Sequence, residues 1–122
     1  WRIDAKGEAV LFAPPNAFPT TPLFLNDIAV DAESGTLFVS DSGTLKGEGG
    51  AVYRISPRGL VDIVLDKQRF PALHTPNGLL LDGASHLLLA DFGSGILYRI
   101  KLADAMSPGA TRTIEWKRSH CH

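Results

Sequence analysis

The chain of 122 residues contains a single cysteine, Cys121, which excludes a disulfide within the chain. No apolar run approaches the roughly 18 residues that suggest a membrane-spanning helix. The formal net charge of −1 gives no reason to expect nucleic acid or an anionic membrane as a partner. No window sustains the apolar period of an amphipathic helix. These absences leave a strand-rich protein, and they do not indicate a cellular compartment.

The sequence does contain an internal repeat, set among 12 glycines and 8 prolines that are typical of strands joined by turns. Asn26 aligns with Asn77, and the residues after each asparagine continue to match. A partial third copy stands at the start of the chain. The aligned pairs of segments are LNDIAVDAESGTLFVSDSG (25–43) with PNGLLLDGASHLLLADFGSG (76–95), GAVYRI (50–55) with GILYRI (95–100), and WRIDAKG (1–7) with YRISPRG (53–59).

Each complete unit contains four short strand-like runs separated by turn residues. In the first unit the runs cover roughly residues 27–30, 36–40, 51–55 and 60–65. Four antiparallel strands that recur about every 40 to 50 residues predict an all-β chain built of β-propeller blades. A β-sandwich is the alternative, but a sandwich does not require self-similar units.

The blades number about two and a half. Residues 1–13 form the end of one blade, residues 25–66 a complete blade, residues 76–116 the next blade, and residues 117–122 an irregular tail. Propellers close with typically four to eight blades. We therefore expect the chain to be a fragment of a longer, six-bladed propeller. Its expected partners are the missing blades of that parent chain. Closure of one ring by a second copy of the chain is the alternative.

The segments LNDIAVDAESGTLFVSDSG and TPNGLLLDGASHLLLADFGSGILYRI resemble the senescence-marker-protein/gluconolactonase-like family of six-bladed propellers. The resemblance implies a divalent metal, commonly calcium or zinc, at one mouth of the central channel. It also implies a small-molecule substrate, since members commonly hydrolyse lactones and some relatives act on organophosphates. Propellers of the NHL type and the strictosidine-synthase-like type share similar blades. The alternative function is therefore a non-catalytic, NHL-like scaffold that binds a protein or a small ligand.

Asn26 and Asn77 are the main candidate site residues. Each precedes the innermost strand of its blade, so the two amides are expected to aim at one point in the channel. An amide oxygen is a hard, neutral ligand suited to calcium or magnesium. We predict that Asn77 and Asn26 bind a metal and that Asn26 also contacts substrate. The resemblance implies that the Glu and Asp partners lie in other blades. The alternative is that each asparagine caps a turn.

Two further residues are predicted to act beside the asparagines. Asp27 is the candidate catalytic residue, as a base or an additional metal ligand, and His74 is a candidate substrate contact or proton shuttle. Asp41 and Asp91 occur in both units, which favours a structural role in bonding turn amides. The cluster His120, Cys121 and His122 resembles a soft-metal site, but a terminal tail is the better interpretation.

The expected mechanism is metal-assisted hydrolysis of a lactone or ester. The cation polarises the carbonyl and lowers the pKa of a bound water, while a carboxylate takes the proton. Because this chain supplies at best half of such a site, we expect the isolated monomer to be inactive.

Overall fold

A computed structural model describes residues 1–106 and 114–117, and apart from two short helical segments the regular elements of this part of the chain are all β-strands. Every sheet in it is antiparallel. A hairpin of two short strands comes first, and two four-stranded sheets follow, which we call the first sheet (residues 25–66) and the second sheet (residues 76–117). The strands are β1 (Arg2–Ile3), β2 (Ala9–Val10), β3 (Leu25–Val30), β4 (Leu37–Asp41), β5 (Ala51–Ile55), β6 (Val61–Asp66), β7 (Pro76–Asp82), β8 (His86–Asp91), β9 (Ile96–Lys101) and β10 (Ile114–Lys117).

Within each sheet the strands are neighbours in chain order, so each strand pairs with the next along the chain. The alternation of apolar residues and the turn residues between the runs locate these strands well. The run expected over residues 51–55 is β5, and the other three runs of the first unit differ from β3, β4 and β6 only at their ends. The all-β, antiparallel part of the prediction is confirmed, and the described sheets do not close on one another.

The end of the second sheet holds one element that the alternation does not indicate. A single-turn helix, α1 (Leu102–Met106), follows β9 and packs against β6 of the first sheet. The strand β10 ends at Lys117, where the irregular tail was expected to begin. The rest of that tail, including His120, Cys121 and His122, lies outside the described residues.

The two sheets pack face to face, with β7 against β3 and β4. Phe38 and Val52 of the first sheet are buried in the same apolar cluster as Leu87 and Leu89 of the second. These side chains stand on one face of each sheet because alternate residues of a strand point to opposite sides. One continuous core therefore fixes the first sheet against the second.

The opposite face of the first sheet is covered by the segment that precedes it. Phe12 and Phe18 of that segment pack on a second apolar cluster that includes Val39 and Tyr53. The rings of Phe18 and Tyr53 meet edge to face, with their centroids 5.0 Å apart. The central strands β4 and β5 are therefore buried on both faces, whereas Leu25, Ile28 and Val30 of the edge strand β3 are exposed.

A buried carboxylate joins the end of β4 to the chain entering β3. Asp41 is the last residue of β4 and is only 2% exposed. Its carboxylate accepts hydrogen bonds from the backbone N–H groups of Leu23 (3.1 Å) and Phe24 (2.9 Å). A further hydrogen bond comes from the N–H of Gly43 (3.0 Å). Asp41 thus joins the chain that enters β3 to the end of β4.

The second sheet repeats this arrangement at the aligned positions. Asp91 ends β8 and is equally buried. It accepts hydrogen bonds from the N–H groups of His74 (2.8 Å) and Thr75 (2.6 Å), which precede β7. The two aspartates therefore have the structural role expected from their presence in both units.

We expect Asp91→Ala to lower the free energy of unfolding by about 3 kcal/mol, because buried N–H groups lose a charged acceptor. Urea denaturation followed by circular dichroism measures the loss. The control is Asp62→Ala, an exposed carboxylate on β6, which should change stability by less than about 0.5 kcal/mol. Equal effects of the two variants would contradict the structural role of Asp91.

Candidate functional site

The first strand of each four-stranded sheet, β3 or β7, contains an irregularity at its asparagine. The pairing of β3 with β4 skips from Leu25 to Ile28, and the pairing of β7 with β8 skips from Pro76 to Leu79. A bulge of this kind leaves backbone N–H and C=O groups without partners in their own sheet. Buried backbone groups need hydrogen-bond partners, so groups outside the strand's own sheet must supply them.

For β7 these partners come from the first sheet. The hydroxyl of Ser42 donates to the carbonyl oxygen of Pro76, and that of Ser40 donates to the carbonyl oxygen of Asn77, both at 2.6 Å. The N–H of Leu79 donates to Oδ2 of Asp27 at 2.8 Å. We call these three hydrogen bonds the inter-sheet ties. They fix the position of β7 along β3 and β4, and they therefore fix the two bulges relative to each other.

Asn26 and Asn77 consequently line one pocket, with a volume of about 290 Å³, at the starts of β3 and β7. Nδ2 of Asn26 donates to the Ser42 hydroxyl at 3.1 Å, which leaves the amide oxygen of Asn26 free of that bond. Within the part of the chain that the structure describes, the side chain of Asn77 has no hydrogen-bond partner. The remaining lining residues are Phe24, Ser42, Gly43, Thr44, Leu45, Thr75 and Phe92.

Six of the nine pocket-lining residues occupy equivalent positions of the two units, and Gly43, Thr44 and Leu45 come from the first unit alone. Phe24 and Thr75 each stand two residues before the asparagine, and Ser42 and Phe92 each follow the buried aspartate. Sequence reasoning singled out only the asparagines among them. The signal that could have found Phe24, Thr75, Ser42 and Phe92 is the repeat itself, examined at these two fixed offsets.

The donor atoms in the pocket fit a hard cation only in part. Calcium takes six to eight oxygen ligands, with carboxylates among them. The pocket offers amide and hydroxyl oxygens, and its lining contains no Asp, Glu, His or Cys. Throughout residues 1–106 and 114–117, no group of three or more such side chains could hold a metal. The chain can therefore supply neutral ligands to calcium, whereas zinc, which prefers nitrogen and sulfur, does not suit this set.

Asp27 does not line the pocket. Its Oδ1 accepts the N–H of Ile28 at 2.9 Å, and its Oδ2 accepts the N–H of Leu79. Its own N–H donates to the Ser40 hydroxyl at 3.1 Å. The catalytic role of Asp27 stays a prediction, and the structure gives the same carboxylate a structural role that occupies both oxygens.

His74 lies beside the pocket and is not part of its lining. Its Nδ1 is 2.6 Å from Oγ1 of Thr75, which does line the pocket. The imidazole packs between two loops, at Gly47 and at Gly93, where a Cβ atom would collide with the ring. The structure thus places Asn26 and Asn77 together, with His74 and Asp27 behind them. Substrate contact by His74 stays a prediction.

No protein-family model matches the chain, and no curated protein matches it. Among the described residues, no helix is both long and apolar enough to span a membrane. The site must therefore be interpreted from its own geometry.

We expect Gly93→Ala to destabilise the chain by about 1 to 3 kcal/mol, because the new methyl group overlaps Nδ1 of His74. His74→Ala in the same chain removes the obstacle and should recover part of the loss. A double-mutant cycle in urea measures this coupling, with an expected magnitude of about 1 kcal/mol.

The matched control is Gly78→Ala. A Cβ at that position would lie 3.6 Å from Cβ of Ala90, an ordinary contact, so the cost should stay below about 1 kcal/mol. Strictly additive effects of Gly93→Ala and His74→Ala would show that the ring does not fill the space beside Gly93.

Proposed function

We propose that this chain is part of a β-propeller of the gluconolactonase-like class, with its two four-stranded sheets as neighbouring blades. Three features support the proposal: the chain-ordered strands of each sheet, the contact between their first strands β3 and β7, and the face-to-face packing. The hairpin β1–β2 then corresponds to the outer half of a preceding blade, as its sequence match to residues 53–59 suggests.

The function that we propose for the pocket is binding of a small lactone or ester at the mouth of the channel, in a metal-dependent hydrolase. The observation that carries the proposal is the convergence of Asn26 and Asn77, one from each sheet, on a single pocket of about 290 Å³. Amides and hydroxyls can hydrogen-bond the ring oxygens of such a ligand. Phe24 and Phe92 offer apolar surface for its carbon face.

A divalent cation bound there would polarise the carbonyl and acidify a water molecule. Asn26 and Asn77 would hold that cation through their amide oxygens and would orient the substrate. Neither amide can accept the proton from water. The base must therefore lie outside this pocket lining. Both carboxylate oxygens of Asp27, the base expected from the sequence, accept backbone N–H groups, so we propose that the base comes from another blade. Turnover by the isolated chain is then not expected.

A second candidate function is a non-catalytic, NHL-like scaffold that binds a small ligand or a protein. It is favoured by the uncharged lining of the pocket, which holds no carboxylate, imidazole or thiol. The two candidates share the blade architecture and the binding role of the asparagines. They differ only in whether other blades add a carboxylate.

The second sheet carries an exposed apolar face whose counterpart in the first sheet is covered. Leu80 on β7 is 64% exposed, whereas the equivalent Ala29 on β3 is 7% exposed beneath the second sheet. Leu97 on β9 lies on the same open face, and its equivalent Val52 is fully buried. We propose that another blade of the parent protein, or a second copy of the chain, covers this face.

We expect Asn77→Ala to weaken binding of glucono-δ-lactone about tenfold, because a hydrogen bond from a polar ligand is lost. Titration calorimetry with and without calcium measures the affinity, and Asn16→Ala, an exposed amide outside the pocket, is the control. If Asn77→Ala binds the lactone as tightly as the unaltered chain, the lactone does not bind in this pocket. Turnover by the purified monomer would contradict the missing base.

We expect light scattering after size exclusion to give a mass above the 13.1 kDa of one chain, because copies of the chain associate through the exposed apolar face of the second sheet. Leu80→Glu should restore the monomer mass, since a charge on that face opposes association. Leu60→Glu alters an equally exposed leucine in the β5–β6 turn and should not change the mass. A clean monomer for the unaltered chain would show that this face does not drive association.

A further inference from the structure

Arg54 on β5 differs in its bonding from its equivalent in the second sheet. Both arginines belong to the repeated Tyr-Arg-Ile motif. On β9, Nε of Arg99 pairs with Oδ2 of Asp82 at 2.9 Å. Among residues 1–106 and 114–117, no hydrogen bond or ion pair engages the guanidinium of Arg54. One unit therefore neutralises this charge and the other leaves it available.

The difference arises in the turn between the first two strands of each unit. Asp31 is the equivalent of Asp82, but the turn after Asp31 is one residue longer. The longer turn folds back on its own aspartate, which accepts bonds from the Ser34 hydroxyl (2.7 Å) and the N–H of Glu33 (3.1 Å). These bonds, that of Ser34 first, lower the pKa of Asp31. The carboxylate of Asp31 thus bonds groups of its own turn and does not pair with Arg54.

Asp62 is the other carboxylate near Arg54. It stands directly opposite Arg54 in the register of β5 with β6. The two side chains nevertheless form no ion pair within 4.0 Å in the described part of the chain. An exposed pair of this kind would contribute little even if it formed transiently. The guanidinium of Arg54 therefore has its donors free for a ligand.

Arg54 lines a cleft between the two sheets with a volume of about 480 Å³. The cleft lies at the Asp31 end of β3, whereas the asparagine pocket lies at the opposite end of that strand. The hydroxyl residues Ser34 and Thr36 share its wall with Arg54. Phe38, Leu81 and Leu102 supply apolar surface from both sheets.

We propose that this cleft binds a small molecule that carries a single carboxylate on an apolar body. The planar guanidinium of Arg54 presents paired donors that match a carboxylate. The apolar walls then cover the rest of the ligand, and the volume falls within the usual range for small-molecule sites. The negative charge of Asp31 at the same cleft repels a polyanion such as a phosphate ester more strongly than it repels a single carboxylate. This site is independent of the function proposed for the asparagine pocket.

The probe for this proposal is 3-phenylpropionate, compared with the uncharged 3-phenylpropionamide of nearly the same shape. Titration of the isotope-labelled 122-residue chain, followed by amide NMR, locates the binding. We expect saturable shifts in residues 34–38, 54 and 81 with the acid. We expect about tenfold weaker binding with the amide, because the charge-assisted hydrogen bonds are lost.

Two matched variants test the role of the arginine. Arg54→Gln should weaken binding of the acid to the level of the amide, whereas Arg99→Gln removes the equivalent charge of the other unit and should leave binding unchanged. Arg54→Lys keeps the charge without the paired donors and should give an intermediate affinity. It also serves if Arg54→Gln loses the dispersed spectrum of the folded chain.

Three outcomes would overturn the proposal. The acid and the amide could bind equally, Arg54→Gln and Arg99→Gln could have the same effect, or the shifts could fall around Asn26 and Asn77 instead. The last outcome would assign the carboxylate to the asparagine pocket and would leave the proposed function of that pocket standing. Failure of lactone binding, by contrast, has no effect on the Arg54 readout.

Discussion

The inter-sheet ties are the interaction on which the rest of this structure depends. A bulge removes part of β7 from its own ladder, and its backbone groups would be buried without partners if no other group bonded them. Ser40, Ser42 and Asp27 of the first sheet bond these groups directly. Because each tie joins a particular pair of atoms, the sheets cannot slide along one another without breaking all three. The apolar core alone would tolerate such a shift more readily, since hydrophobic contact is not directional.

The pocket is a consequence of the same constraint. Asn26 and Asn77 each lie in a bulge, and the ties hold the two bulges side by side. Ser42 has two roles here, because its O–H group donates to the carbonyl oxygen of Pro76 and its oxygen accepts from the amide of Asn26. A residue that joins the sheets thus also orients a residue of the site. The structural roles and the proposed binding roles therefore fall on the same few side chains at the starts of β3 and β7.

Sequence reasoning reached the strands and the convergence of the asparagines, because both depend on periodic patterns. Alternation places the strands, and the equal position of Asn26 and Asn77 in two units places them near each other. The role of Asp27 could not be predicted this way, since its partner is a backbone N–H 52 positions along the chain. That Arg54 has no carboxylate partner among the described residues could not be predicted either, because it depends on one additional residue in the turn after Asp31. Helix α1 follows a strand and is too short to show a helical period.

The ties also make the two units of the repeat non-equivalent. Where the first sheet has Asp27, Ser40 and Ser42, the second has Gly78, Ala90 and Phe92, which cannot form the same bonds. Chains with nearly identical adjacent units risk docking a unit on the wrong neighbour while they fold. Here only the first sheet carries the complementary polar groups, so a swapped order of sheets would bury the carbonyls of β7 unpaired. Asp27, Ser40 and Ser42 therefore specify which unit packs against the first sheet, and so the order of the units.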